Sequence, residues 1–222
     1  MSPRVAFWGW HGLYALICAV ALLGWPQADR GLLLGALVLA YHLGLLASLA
    51  ASGDHSGLRL WLFLLPLSIF MVLPDWWLVA QADVLRFIDH GLPRIGPVPL
   101  YMAGMWVIPL YVCLRLVEGR PAGAWWAAGF ALLIFGAAEA LAPTLGLWAP
   151  QNVAGLGGTA LYILPVETWL GGASYAAWQL VDGRGRALAI GTAAGLMLSY
   201  VGLAAVPMAS ARPRPSTSCQ AA

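Results

Sequence analysis

Long apolar runs separated by short polar breaks divide the chain into seven segments, at residues 5–25, 31–51, 58–78, 98–117, 122–141, 154–181 and 187–208. Each is close to the ~20 apolar residues that an α-helix needs to cross a bilayer's hydrocarbon layer. The pattern predicts an all-α polytopic membrane protein, with a bundle of seven transmembrane helices filling residues 1–210. The remainder, 211–222, is rich in Pro and Ser and predicts a disordered tail. Because the first run starts almost at Met1 and no A-x-A-like cleavage site follows, it reads as a retained helix.

Composition narrows the picture. With 61% hydrophobic and 9% charged residues, the spans leave no room for a soluble domain, so any chemistry is expected within or at the edge of the bilayer. The expected location is an integral membrane position, in a bacterial cytoplasmic membrane. All 11 basic residues are arginine, which excludes a retinal Schiff base because that linkage needs a lysine amine. Six arginines fall near one set of span ends and five near the other, a balance from which the positive-inside rule selects no orientation. Their dispersal forms no basic face, so no nucleic-acid partner is expected. Cys18, Cys113 and Cys219 are too scattered for a metal site or disulfide framework and read as thiols.

A short internal echo is visible. LVEGR at 116–120 recurs as LVDGR at 180–184, and each copy follows a span that begins Leu-Tyr, at 100–101 and 161–162. Spans four-five and six-seven therefore read as parallel helix-hairpin repeats.

Carboxyl groups at bilayer depth cost free energy unless protonated, partnered or facing a polar cavity. Glu167 lies near the middle of LYILPVETWLGGASYAAWQL, residues 161–180, with Pro165 expected to bend that helix. Asp75 ends the third span, Glu139 ends the fifth, and the sixth span, carrying Glu167, starts from the same side. Connectivity thus brings three carboxyls to one half of the membrane. Each also has a structural reading: Glu167 bonded across helices, Glu139 reaching water, Asp75 capping the turn after Pro74.

The longest connection, 79–97, leaves from that same face. Its apolar Val84, Leu85, Phe87 and Ile88 are interspersed with Asp83, Arg86 and Asp89, which reads either as a short amphipathic interfacial helix ending at Gly91 and capping a cavity mouth, or as a solvated loop whose arginines contact lipid phosphates. Asp89 and His90 are either an acid/base pair or solvent-facing neighbours. His42, deep in the second span, is either a donor to a buried carboxyl or a satisfied interhelical histidine.

Twelve tryptophans are many for this length. Trp8, Trp10, Trp25 and Trp148 sit near expected span ends, as an interfacial belt requires. Trp76, Trp77, Trp106 and Trp169, with Tyr101 and Tyr162, accompany the carboxyls instead and are candidate substrate-binding residues, together with His42. Electron-rich ring faces attract cations, and a carboxyl in an apolar pocket retains a proton that it can donate. Those two properties suit protonation of an alkene or epoxide in a polyene, followed by cyclisation through carbocations. Such chemistry needs no cofactor, and the acids and histidines show no i, i+3 or i, i+4 metal pattern.

LPVET at 164–168 resembles the P-x-E-E type motif of the small integral-membrane lycopene cyclases, and the helical layout is similar to theirs and to that of related membrane terpene cyclases. The resemblance implies that Glu167 acts as an acid or cation stabiliser; Glu139 and Asp75, brought to the same side by the order of the spans, are the further candidates to share the acid, base and cation-stabilising roles. Thr168 replaces the second acidic residue of the carotenoid motif, which favours a shorter prenylated or terpenoid substrate. The expected partners are therefore this lipid-soluble substrate and membrane lipids. Two other classes compete: a small proton-coupled transporter using the same carboxyls as a relay, and a non-catalytic subunit packing through Gly155–Gly158 and Gly191–Gly195.

Overall fold

A computed structural model describes residues 2–24, 30–156 and 158–211. The chain runs α1 (Pro3–Gly24), α2 (Arg30–Ser52), α3 (His55–Phe70), α4 (Val72–Ala80), β1 (Leu85–Phe87), β2 (Arg94–Ile95), β3 (Val98–Pro99), α5 (Met102–Met105), α6 (Val107–Leu116), α7 (Gly123–Leu141), β4 (Trp148–Pro150), β5 (Gly155–Leu156), β6 (Thr159–Ala160), α8 (Ile163–Val181) and α9 (Arg186–Ala211). Helix dominates. With α3–α4 and α5–α6 each counted as one broken rod, the seven apolar runs correspond to seven rods.

Both breaks have the same cause. A proline ring clashes with the carbonyl four residues earlier, and the residues four before Pro74 and Pro109 are Phe70 and Met105, where α3 and α5 stop. Asp75 follows the first break and Trp106 occupies the second.

Five helices are long and apolar enough to cross a membrane: Pro3–Gly24, Gly31–Ser52, His55–Ala80, Gly123–Leu141 and Arg186–Ala205, with Met102–Leu116 shorter. Large apolar side chains such as Leu16, Val20, Leu39, Leu132 and Leu198 are exposed along them, so the outside of the bundle is greasy. The most buried helix is α8, which packs against α7, α6 and α9, while α3 packs against α6 and α9 and the α1–α2 hairpin lies alongside. Helices α7 and α8 approach closely because a side-chain carbon at Gly171 would collide with the Ala131 methyl and lie 2.9 Å from the Ala127 carbonyl oxygen.

Several expectations are corrected. The amphipathic helix within 79–97 does not form: Asp83 takes a left-handed turn (φ 54°), and 85–87 becomes a strand paired antiparallel with β4, Leu85 opposite Pro150 and Phe87 opposite Trp148. The fourth rod begins at Met102, because 98–99 pairs with 94–95 in a hairpin next to Pro97 and Pro99. The sixth begins at Ile163, because the Gly-rich 155–160 folds as a hairpin through Gly158 (φ 89°). Pro165 therefore sits in the first turn of α8, where it removes no helical hydrogen bond, and does not bend it. Gly155 and Gly158 lie in this hairpin, and Gly191 and Gly195 face open space, so within this chain neither pair mediates a close helix contact; Gly171 makes the one between α7 and α8. Of the predicted tail, Ala211 is the last residue of α9 and 212–222 lie outside the described residues.

The echo extends further than LVEGR and LVDGR. A carboxyl-bearing helix (α4, α7), a strand (β1, β4), a two-stranded hairpin (β2–β3, β5–β6), Leu-Tyr and a helix (α5–α6, α8) follow in the same order twice. The strands β1 and β4 of the two copies pair with each other. The acids of the echo motifs both tie to α3: Glu118 accepts from Ser56 at 3.1 Å, and Asp182 pairs with Arg59 at 2.7 Å.

Candidate active site

Asp75, on the first turn of α4, and Glu167, on the second turn of α8, are each 3% exposed, and Glu139 is half-buried near the end of α7. All three line one cavity of about 410 Å³, a volume within the usual range for small-molecule sites. The strands β1 and β4 close one end with Leu85, Phe87, Trp148 and Pro150. That closure is pinned outside by Asp83, which accepts from Gln151 at 2.6 Å and from the Asn152 side chain at 2.8 Å.

Two carboxyls are oriented by indoles. Trp106 Nε1 donates to Asp75 Oδ2 at 3.3 Å, and Trp148 Nε1 donates to Glu139 Oε1 at 2.9 Å. Glu167 differs: its Oε2 is buried and has no hydrogen-bond partner among the described residues. Among the described residues, no arginine or histidine side chain lines the cavity. A cluster of buried acids lacking a basic partner is costly, and such a site is complementary to a cation or to a proton-accepting ligand. Among the described residues no three His, Cys, Asp or Glu side chains group as ligands of one metal ion.

The rest of the wall is apolar and aromatic. Trp106 lies between Phe135 (ring centroids 5.4 Å apart) and Tyr200 (5.8 Å, edge-on), and Tyr14, Phe87, Trp148 and Tyr162 add further aromatic wall. Trp106 stands five residues after Tyr101 and Glu167 five after Tyr162, so the two occupy equivalent places in the two copies of the echo. The duplicated architecture thus supplies an indole from one copy and a carboxyl from the other.

Of the substrate-binding candidates, the structure brings Trp106 and Tyr162 to the cavity and leaves the others elsewhere. Consecutive helical residues point about 100° apart. Trp76 and Trp77 consequently turn away from Asp75, Trp76 lying exposed against Gly96, and Trp169, two positions beyond Glu167, is on another face of α8. Tyr101 is buried outside the cavity, beside Leu92 and Arg94. His42 accepts from Trp61 Nε1 at Nδ1 (2.9 Å) and so donates from Nε2 to the Gly104 carbonyl (3.1 Å), the satisfied interhelical arrangement.

His90 and Asp89 are separated in role. The His90 ring contacts the Gly146 carbonyl at 2.7 Å, whereas Asp89 is exposed and pairs with Arg94. The Gly91 amide, together with Arg94, holds the Asp89 carboxyl below the usual carboxylate range.

Sequence reasoning missed Tyr200, Phe135 and Trp148. Tyr200 had a usable signal, a phenol inside an otherwise apolar run; Trp148 resembled a belt residue because it falls near a span end. Residues 72–209 match the family described as a domain of unknown function, DUF6989, and the chain belongs to that family. No curated protein and no solved structure matches the chain significantly.

Proposed function

Membership in a family without a known activity leaves the site itself as the guide, and from it we propose an intramembrane terpene cyclase that initiates carbocation cyclisation of a prenylated or polyene lipid by proton transfer. The observation that carries this reading is the convergence of Asp75, Glu139 and Glu167 on one aromatic-walled cavity with no basic side chain among the described residues. The greasy exterior and five membrane-length helices favour residence in a bilayer, where such substrates dissolve.

In this reading Glu167 delivers the first proton. Its uncommitted oxygen faces a substrate alkene, whose π electron pair forms the new C–H bond while the O–H bond breaks and Glu167 becomes a carboxylate. An internal alkene then attacks the carbocation and closes a ring. Trp106, with Phe135 and Tyr200 against it, presents ring faces to the migrating charge. Asp75 or Glu139 takes a proton from the carbon beside the final cation, leaving an alkene, and proton exchange among the carboxyls restores Glu167. The sequence is a net isomerisation with no oxidant or reductant.

The test is to supply prenylated and epoxidised polyenes to membranes containing the protein and compare products from wild type and Glu167→Gln. General acid catalysis contributes about 10²–10⁴-fold, so cyclised products should fall by that order. Equal products from both proteins would remove Glu167 from this role, and proton-coupled uptake by proteoliposomes without product would favour the transporter.

A further inference from the structure

The lining of the cavity is unevenly buried. Every lining residue from α2, α4, α8 and α9, including Leu34, Asp75, Glu167 and Tyr200, is buried. The partly exposed helical lining comes from α1 (Cys18, Leu22), the α5–α6 rod (Met105, Ile108, Pro109, Val112) and α7 (Ile134, Ala138, Glu139). Cys18 and Leu22, spaced i, i+4, form one edge; Ile108, Pro109 and Val112, spaced i, i+1, i+4, form the other. Apart from Glu139 on the inner rim, these residues are all apolar, and α1 packs on α2. The cavity therefore opens sideways, through a slot between α1 and the α6–α7 pair, toward the C-terminal ends of α1 and α7, among helices whose outer faces are apolar.

Resting on the cyclase reading, we propose that this slot is a lateral gate through which a prenyl-chain lipid passes from the hydrocarbon layer, reactive end first. The chemistry selects the occupant. Among the described residues a charged headgroup would meet no polar partner between Cys18 and Val112, whereas an uncharged isoprenoid chain matches that lining and brings an alkene to the buried acids. The hairpin α1–α2 lies outside residues 72–209 that match the family, yet Tyr14, Cys18, Leu22, Leu34, Leu37 and Val38 form one side of the cavity.

The test uses farnesol carrying a diazirine next to its hydroxyl end, the end that trails in the slot, photolysed with the full-length protein in phosphatidylcholine nanodiscs, with adducts mapped by mass spectrometry. Adducts are expected at Cys18, Leu22, Ile108 and Val112, at least tenfold above those at the lipid-facing Leu16 and Leu132. Cys18→Trp, or the smaller plug Ala138→Leu, should reduce them about tenfold, while Leu16→Trp should not. Glu167→Gln should retain the adducts, so the route is read independently of whether Glu167 catalyses. Labelling spread evenly over Leu16, Leu132 and the slot, or slot labelling unchanged by both plugs, overturns the gate. Modification of Cys18 by a charged methanethiosulfonate as fast as by N-ethylmaleimide also overturns it, since the slot would then be wet.

Discussion

Trp106 donates its indole N–H to Asp75 Oδ2 across 3.3 Å, joining the two proline-broken rods at their breaks. Pro74 and Pro109 each stop a helix one turn early, and Asp75 and Trp106, beside those breaks, meet at the cavity wall. Trp106→Phe preserves the aromatic wall and removes only the donor. Leaving a buried acceptor unpaired costs about 1–3 kcal/mol, so cyclised product should fall roughly tenfold, with the rate falling more than substrate binding. Product formation measured against substrate concentration checks this.

Glu139 is held the same way by Trp148, but from a strand instead of a helix. Trp148→Phe should therefore act on Glu139 and leave the β1–β4 pairing intact. In the proposed cyclisation, where Asp75 or Glu139 takes the final proton, the expected change is in product distribution more than in total turnover, because Asp75 remains to accept it. Chromatography of products from Trp148→Phe and Glu139→Gln should show the same altered pattern.

Two ion pairs at the opposite end of the bundle should differ in worth. Arg115 joins Asp54 in a pair whose side chains are 11% and 7% exposed, while Arg59 and Asp182 meet at an open surface. Asp54 also caps α3 through the Gly57 amide at 2.8 Å. Arg115→Met strands a buried carboxylate, and removing one partner of such a pair costs about 3–5 kcal/mol. Arg59→Met removes a solvated, screened contact and should barely move the thermal midpoint. Thermal unfolding in detergent, with both variants side by side, makes the comparison.

Gly171 should tolerate no larger residue. Its absent side chain is what lets α8 lie against Ala127 and Ala131 of α7. Gly171→Val overpacks that contact at a cost of about 1–3 kcal/mol and parts the helices that carry Glu139 and Glu167. A lower unfolding midpoint together with lost product is expected; Gly202→Val, whose added carbons meet open space, is the control.

Asp83 should govern the closed end. Asp83→Ala removes the acceptors of Gln151 and Asn152 and leaves a non-glycine residue in a left-handed conformation. Hydrogen exchange at 85–87 and 148–150 should accelerate several-fold, with α3 and α8 unchanged.

From the sequence alone, the rods and their order follow, because apolar runs near membrane length between polar breaks have few other outcomes. The grouping of Asp75, Glu139 and Glu167 also follows, since helix parity sends the ends of α4 and α7 and the start of α8 to one side. What parity does not specify is the face on which each side chain stands. Trp76 and Trp169 lie within two residues of a cavity carboxyl and still point elsewhere, whereas Trp148 and Tyr200, distant in sequence, reach the cavity. The closing sheet was illegible for a related reason: 85–87 reads as amphipathic helix until β4, more than sixty residues later, offers its backbone. Local pattern determined the elements and their direction here; rotation about each helix axis and pairing between distant strands were decided by packing in three dimensions.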